Sequence, residues 1–191
     1  MRDFSFYFGL GWHHIISLDA LDHILFIIVL AAIYTMADWK QILVLVTAFT
    51  VGHSITLALS VFDIIRFPGN WVEFLIPCTI VITAVSNLFQ HRVGSSTIRL
   101  NYYLALFFGL IHGMGFANTI RFILSTNKHI GGGLFAFNVG LELGQIIIVF
   151  ILLLSAFLFI NVVKVKRREW ILFLSAAVFS LALKMVFERI P

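Results

Sequence analysis

Apolar stretches long enough to cross a bilayer recur along this chain, separated only by short polar breaks. A hydrocarbon core about 30 Å thick is crossed by about 20 mainly apolar helical residues. Inside it every backbone N–H and C=O must be satisfied within the protein, which leaves helices or a closed barrel. Continuous apolar runs without strand alternation select helices. On that ruler six spans are expected, at 17–36, 40–62, 71–90, 99–124, 133–161 and 169–188. Turn-forming and charged clusters punctuate them: Ala37-Asp38, Arg66 to Asn70, Arg92 to Ser96, Thr126 to Gly133 and Lys164 to Glu169. The expected fold class is therefore all-α: a polytopic transmembrane helical bundle. Residues 1–191 form one bundle, and the aromatic, glycine-bearing residues 1–16 are an interfacial or re-entrant N-terminal segment.

Composition agrees. Of 191 residues, 61% are hydrophobic and 12% charged, against about 25% charged in an ordinary soluble domain. The net charge of +4 comes from residues between apolar segments, which marks juxtamembrane charge and excludes a nucleic-acid surface. A single cysteine, Cys78, excludes an intramolecular disulfide and a thiolate cluster. The first apolar run, Ile24 to Ile33, follows Asp19 and Asp22 instead of a basic segment, so it reads as a retained span. Lys and Arg divide six against seven between the two faces. The dense run from Lys164 to Arg168 favours the cytoplasm for its own side and puts both termini outside. Trp12, Trp39, Trp71 and Trp170 fall near span ends, as interfacial tryptophans do.

Against this background the polar residues stand out. His14, Asp19, Asp22 and His23 belong to the first span, His53 to the second and Glu73 to the start of the third. His112 lies in the fourth, and Asn138, Glu142 and Gln145 in the fifth. Each ionisable group at membrane depth costs a few kcal/mol even on mild scales, so these residues need mutual partners. Odd spans start on the N-terminal face and even spans end on it. Counting from those ends at 1.5 Å per residue places all of them in one half of the membrane, whichever way the chain inserts.

Helical spacing groups them further. Asn138, Glu142 and Gln145 share one stripe, and Thr50, His53 and Thr56 another. His112 lies inside Gly109–Gly113 and Glu142 inside Gly140–Gly144, both frames that let backbones approach closely. On adjacent helices the two side chains would reach one ion.

Imidazoles and carboxylates without thiolate suit nickel, cobalt, zinc, iron or manganese. The expected ligands are His14, Asp22, His23, His53, His112 and Glu142, with Asn138, Gln145, Glu73 and Asp19 orienting them. A lone intramembrane histidine is more often a helix-to-helix hydrogen bond; it is the set that carries the metal reading. Asp19 has a plainer alternative as a helix cap and Glu73 as a first-turn acid favoured by the helix dipole. His91 and His129 read as loop residues.

The motifs resemble a known family. Gly11-Trp12-His13-His14-Ile15 followed by Leu21-Asp22-His23 is similar to the opening signature of the HupE/UreJ family. Residues 47–57 around His53, 72–77 around Glu73, 108–116 around His112 and 137–145 from Phe137 to Gln145 match in order. Together these blocks cover about residues 9–150, and residues 151–191 carry no such motif. The resemblance implies divalent metal transport, nickel or cobalt first, in a bacterial inner membrane, with the first-span His and Asp-His pair among the metal-handling groups. Ile15 stands where the permeases carry Pro after the first His, which is closer to a distinct branch of the superfamily.

Two functions follow. In the first, the cluster is a transit site of a divalent cation transporter. Against it, the far half of the membrane is poor in ionisable groups: a cation would need carbonyls, Thr47, Asn87 or Asn101 there. In the second, the chain is a membrane-embedded metal-dependent hydrolase or acyl-transfer enzyme. A metal would activate water, and Glu142, Glu73 or Asp22 would carry the proton. The expected partners are the bilayer and the metal ion. Nothing in the sequence indicates a homo-oligomer.

Overall fold

The computed structural model describes residues 2–17, 20–89, 95–116, 120 and 130–191. Seven α-helices and no strand occur among them: α1 (Arg2–Ile16), α2 (Leu21–Ala31), α3 (Trp39–Val61), α4 (Gly69–Phe89), α5 (Ser95–Gly115), α6 (Ile130–Phe157) and α7 (Arg167–Glu188).

Local chemistry sets the element ends. Thr35 and Asp38 form a capping box, Asp38 Oδ2 accepting from the Thr35 amide at 3.0 Å and its hydroxyl at 2.8 Å. That reciprocal bonding satisfies orphan donors where α3 begins. After α3, Asp63 takes a left-handed φ of 62° and its carboxylate accepts from Arg66 Nε at 2.6 Å, reversing the chain ahead of Pro68. A π-helical turn (Leu158–Val162) ends α6. Arg167 then donates to the Ile33 carbonyl at 2.7 Å, tying the start of α7 to the end of α2.

Four segments are long and apolar enough to cross a membrane: Met36–Val61, Gly69–Phe89, Gly131–Val162 and Arg167–Glu188. They correspond to the second, third, fifth and sixth expected spans. The first differs in form, and residues 117–119 and 121–124 of the fourth lie outside the described residues. Span one is a pair of helices, α1 and α2, bent by 67° at the break between them. At 1.5 Å per residue α1 is about 22 Å long and α2 about 16 Å, so neither alone crosses a core of about 30 Å. Residues 2–16, expected as an interfacial or re-entrant segment, pack against α6 inside the bundle, and the bent pair has the form of a broken span or a re-entrant loop. Helix α5 covers the described part of the fourth expected span and carries Asn101, Tyr102, Tyr103 and His112 among its apolar residues.

Helix pairing follows the glycines. On α3 and α5, a Cβ at Gly109 would overlap the Phe49 carbonyl, one at Gly113 the His53 carbonyl, and one at Gly52 the Leu106 carbonyl. On α1 and α6, a Cβ at Gly11 would overlap the Phe137 carbonyl and one at Gly140 the Phe8 carbonyl. Backbones this close need the missing side chains. Helix α7 packs on α4 and α2. Phe26, Phe49, Phe137 and Tyr34 fill the centre, fully buried, while Phe135, Phe150, Phe173 and Phe187 point outward. Such an apolar exterior is what lipid requires. Trp39 and Trp71 open their helices exposed; Trp12 instead lies within α1, its amide beside Gly140.

Candidate metal centre

Four imidazoles from four helices meet at the centre of the bundle. His14 comes from the last turn of α1, His23 from the first turn of α2, His53 from α3 and His112 from α5. His23 is the hub, with ring centres 4.8 Å from His14, 5.1 Å from His112 and 5.9 Å from His53. His14 and His53 stand 6.3 Å apart. Phe49, Phe116 and Phe137 wall the group. His13, one position earlier on α1, is exposed on the cavity that reaches the cluster.

The bend between α1 and α2 makes this possible. In one straight helix, His14 and His23 would be separated by about 13 Å along the axis. The 67° angle between the two helices brings the two rings together.

Hydrogen bonds fix two of the tautomers. His23 Nδ1–H donates to Asp22 Oδ1 at 2.9 Å, and His112 Nδ1–H donates to the Phe108 carbonyl at 2.8 Å. Both acceptors lack a proton to give, so in each neutral ring Nε2 keeps its lone pair. Those two Nε2 atoms, with His14 Nε2 and both ring nitrogens of His53, are buried and have no hydrogen-bond partner among the described residues. Leaving such an atom unsatisfied costs about 1–3 kcal/mol.

A metal ion fits this donor set. Metal-bound histidines carry this arrangement, one nitrogen held by a carboxylate or carbonyl and the other free to ligate. Imidazoles sharing a tetrahedral ion through bonds of about 2 Å hold their ring centres roughly 5 Å apart, close to the spacings around His23. The spacing is present and the convergence is not. Among the described residues, no group of three or more His, Cys, Asp or Glu is arranged to hold an ion as it stands. At ring spacings that already suit a shared ion, ligation requires the rings to reorient.

An open cavity of about 580 Å³ reaches the cluster. His14, Asp22, His23 and His112 line it together with Glu73 and Arg189; His53 lies behind them, wholly buried. Arg189 was not among the sequence candidates. Its Nη1 pairs with Asp22 Oδ2 at 3.3 Å and donates to the Glu73 carbonyl at 3.4 Å. Nothing in its local sequence distinguishes it from any charge beyond a span end.

The remaining candidates lie elsewhere. Glu142 Oε1 accepts from Thr47 at 2.8 Å and Gln145 Oε1 from Thr50 at 2.7 Å, both between α6 and α3. Asn138 donates to Leu134 of its own helix. Glu73 is exposed on the cavity, and Asp19 falls outside the described residues. The two glycine frames explain why Glu142 and His112 do not meet. The 109–113 frame packs on α3 and the 140–144 frame on α1. Glu142 is two residues from each flanking glycine, and positions two apart on a helix point nearly opposite ways.

A protein-family model described as HupE / UreJ protein matches residues 1–189. The chain belongs to the HupE/UreJ family. As a HupE/UreJ protein with helices of spanning length, it is an integral membrane protein. The match extends past the motif blocks and takes in α7 and Arg189. Comparison with curated proteins and with solved structures gives no match.

Proposed function

We propose that this HupE/UreJ protein transports a divalent transition-metal ion, of the nickel or cobalt type, across a bacterial inner membrane with its termini outside. The observation that carries the reading is the set of buried, unpartnered imidazole nitrogens on four helices at the end of an open cavity. His14, His23, His53 and His112 would take the ion as nitrogen ligands, a donor set that favours nickel, cobalt or zinc over magnesium or calcium. Asp22 would hold the His23 ring and add negative charge. The family's nickel/cobalt transporter character supports the choice of cargo. The broken α1–α2 span supports the choice of activity, since interrupted helices at membrane depth are common at transport sites.

Metal analysis and Co²⁺ titration of the purified protein test the reading, followed by Co²⁺ flux in proteoliposomes. Wild-type protein should bind about one ion per chain through nitrogen ligands, and His112→Ala should lose both binding and flux. Uptake that survives His112→Ala would defeat the proposal.

One observation favours a second reading. A cavity of about 580 Å³ is large for an ion alone and lies in the range that accepts an organic ligand. A metal-dependent hydrolase or acyl-transfer enzyme would use it for a lipid or lipidated substrate, with Glu73 on its wall as proton carrier. Stoichiometric metal that never crosses the bilayer would favour this alternative.

A further inference from the structure

Helix α3 carries a polar residue at every third position approaching the cluster: Thr47, Thr50, His53. Such a row winds slowly around a helix, and α6 follows it. Thr50 donates to Gln145 and Thr47 to Glu142, at 2.7 and 2.8 Å. Together these pairs form a polar seam that starts at His53, the one cluster residue that does not line the open cavity. Thr50 and Gln145 are buried, Glu142 is half-buried and Thr47 is exposed at the outer end of the seam. From His53 to Thr47 the seam advances about 9 Å along α3, away from the cavity and toward the half of the membrane that is poor in ionisable groups.

The carboxylate at its far end is under-compensated. Glu142 receives one hydrogen bond, from a hydroxyl, and no Lys, Arg or His pairs with it among the described residues. An ionisable group at that depth requires a partner. A passing cation provides one.

We propose that Glu142 and Thr47 form a second, oxygen-donor cation station, reached from the imidazole cluster along Thr50 and Gln145. This rests on the transport reading. A carboxylate and a hydroxyl hold a borderline ion such as Co²⁺ more loosely than a set of imidazoles. A weaker site following a stronger one is what conduction needs, because an ion must be able to leave.

The test uses the full chain in proteoliposomes with Co²⁺ alone, comparing wild type, Glu142→Gln and Thr47→Val for bound metal and for flux. Ser180→Ala is the control, because Ser180 is exposed on α7 and donates to the Ala176 carbonyl of its own helix. Glu142→Gln should keep Co²⁺ at the cluster with nearly unchanged affinity and lose about tenfold or more of the flux. Thr47→Val should lose less, and Ser180→Ala should move Co²⁺ as wild type does. Wild-type flux in Glu142→Gln overturns the station. So does loss of the cluster-bound ion, which would make Glu142 a ligand of that site, and so does a changed oligomeric state, which would make it a subunit contact. Wild-type protein that binds Co²⁺ without moving it would overturn the transport reading itself, and the station with it.

Discussion

Asp22 and Arg189 are 167 positions apart in the chain and 3.3 Å apart in space. The carboxylate divides its two oxygens, Oδ1 to the His23 ring and Oδ2 to the guanidinium. A positive charge therefore sits on the cavity wall one residue away from the hub of the imidazole cluster. An arriving divalent cation meets that charge as a competitor for Asp22.

Removing the competitor should tighten metal binding. Arg189→Gln is expected to lower the Co²⁺ dissociation constant on the order of threefold, the scale of a part-exposed ion pair. Arg189→Lys should stay near wild type. Calorimetric titration decides it; weaker binding in Arg189→Gln would mean that the guanidinium positions Asp22 instead of competing for it.

The Asp22–His23 bond makes a separate prediction. Asp22→Asn loses the charge and can present an N–H to Nδ1, freeing the ring to take the wrong tautomer. Metal affinity should fall about 10- to 100-fold, the usual cost of losing such an orienting partner. Co²⁺ absorption bands followed through a titration measure this directly. Unchanged affinity would show that His23 is not a ligand.

Metal should stabilise the fold, because the four rings belong to helices that an ion would tie together. At one hundred times the dissociation constant the gain is about 2.7 kcal/mol. The melting temperature in detergent should rise with Co²⁺ or Ni²⁺, return on chelation, and stay put with Mg²⁺, which prefers oxygen ligands. An equal rise with Mg²⁺ would count against a nitrogen site.

The close approach of α3 and α5 is also testable. Gly109→Ala drives a methyl into the Phe49 carbonyl, whereas a Cβ at Gly9 meets nothing within 4 Å. Gly109→Ala should destabilise the protein by about 1–3 kcal/mol, the range for overpacking, and weaken Co²⁺ binding by displacing His112. Gly9→Ala should do neither. Denaturation in mild detergent and the same metal titration distinguish the two.

Much of the site was legible in the sequence, because lipid makes polar residues conspicuous. His14, His23, His53 and His112 are expensive in an apolar span unless they serve one another, and depth along each helix could be counted from its end. What could not be counted was direction around the helix. Glu142 lies in the same half of the membrane as the imidazoles, yet the 140–144 glycines face α1 and turn its side chain toward Thr47. Arg189 was legible only as one more basic residue near a span end.

The sequence by itself determined an all-helical membrane protein, the approximate positions of four apolar crossings, and the inventory of residues that must find partners there. Hydropathy and periodicity report these because they are properties of one helix and one axis. Tertiary structure decided the rest. The 67° break between α1 and α2 put His14 against His23, and glycine-mediated backbone contacts chose which helices pair. The last turn of the chain brought Arg189 to Asp22. Each of these is a relation between segments, set by where two backbones can touch, and a pattern read along one segment does not contain it.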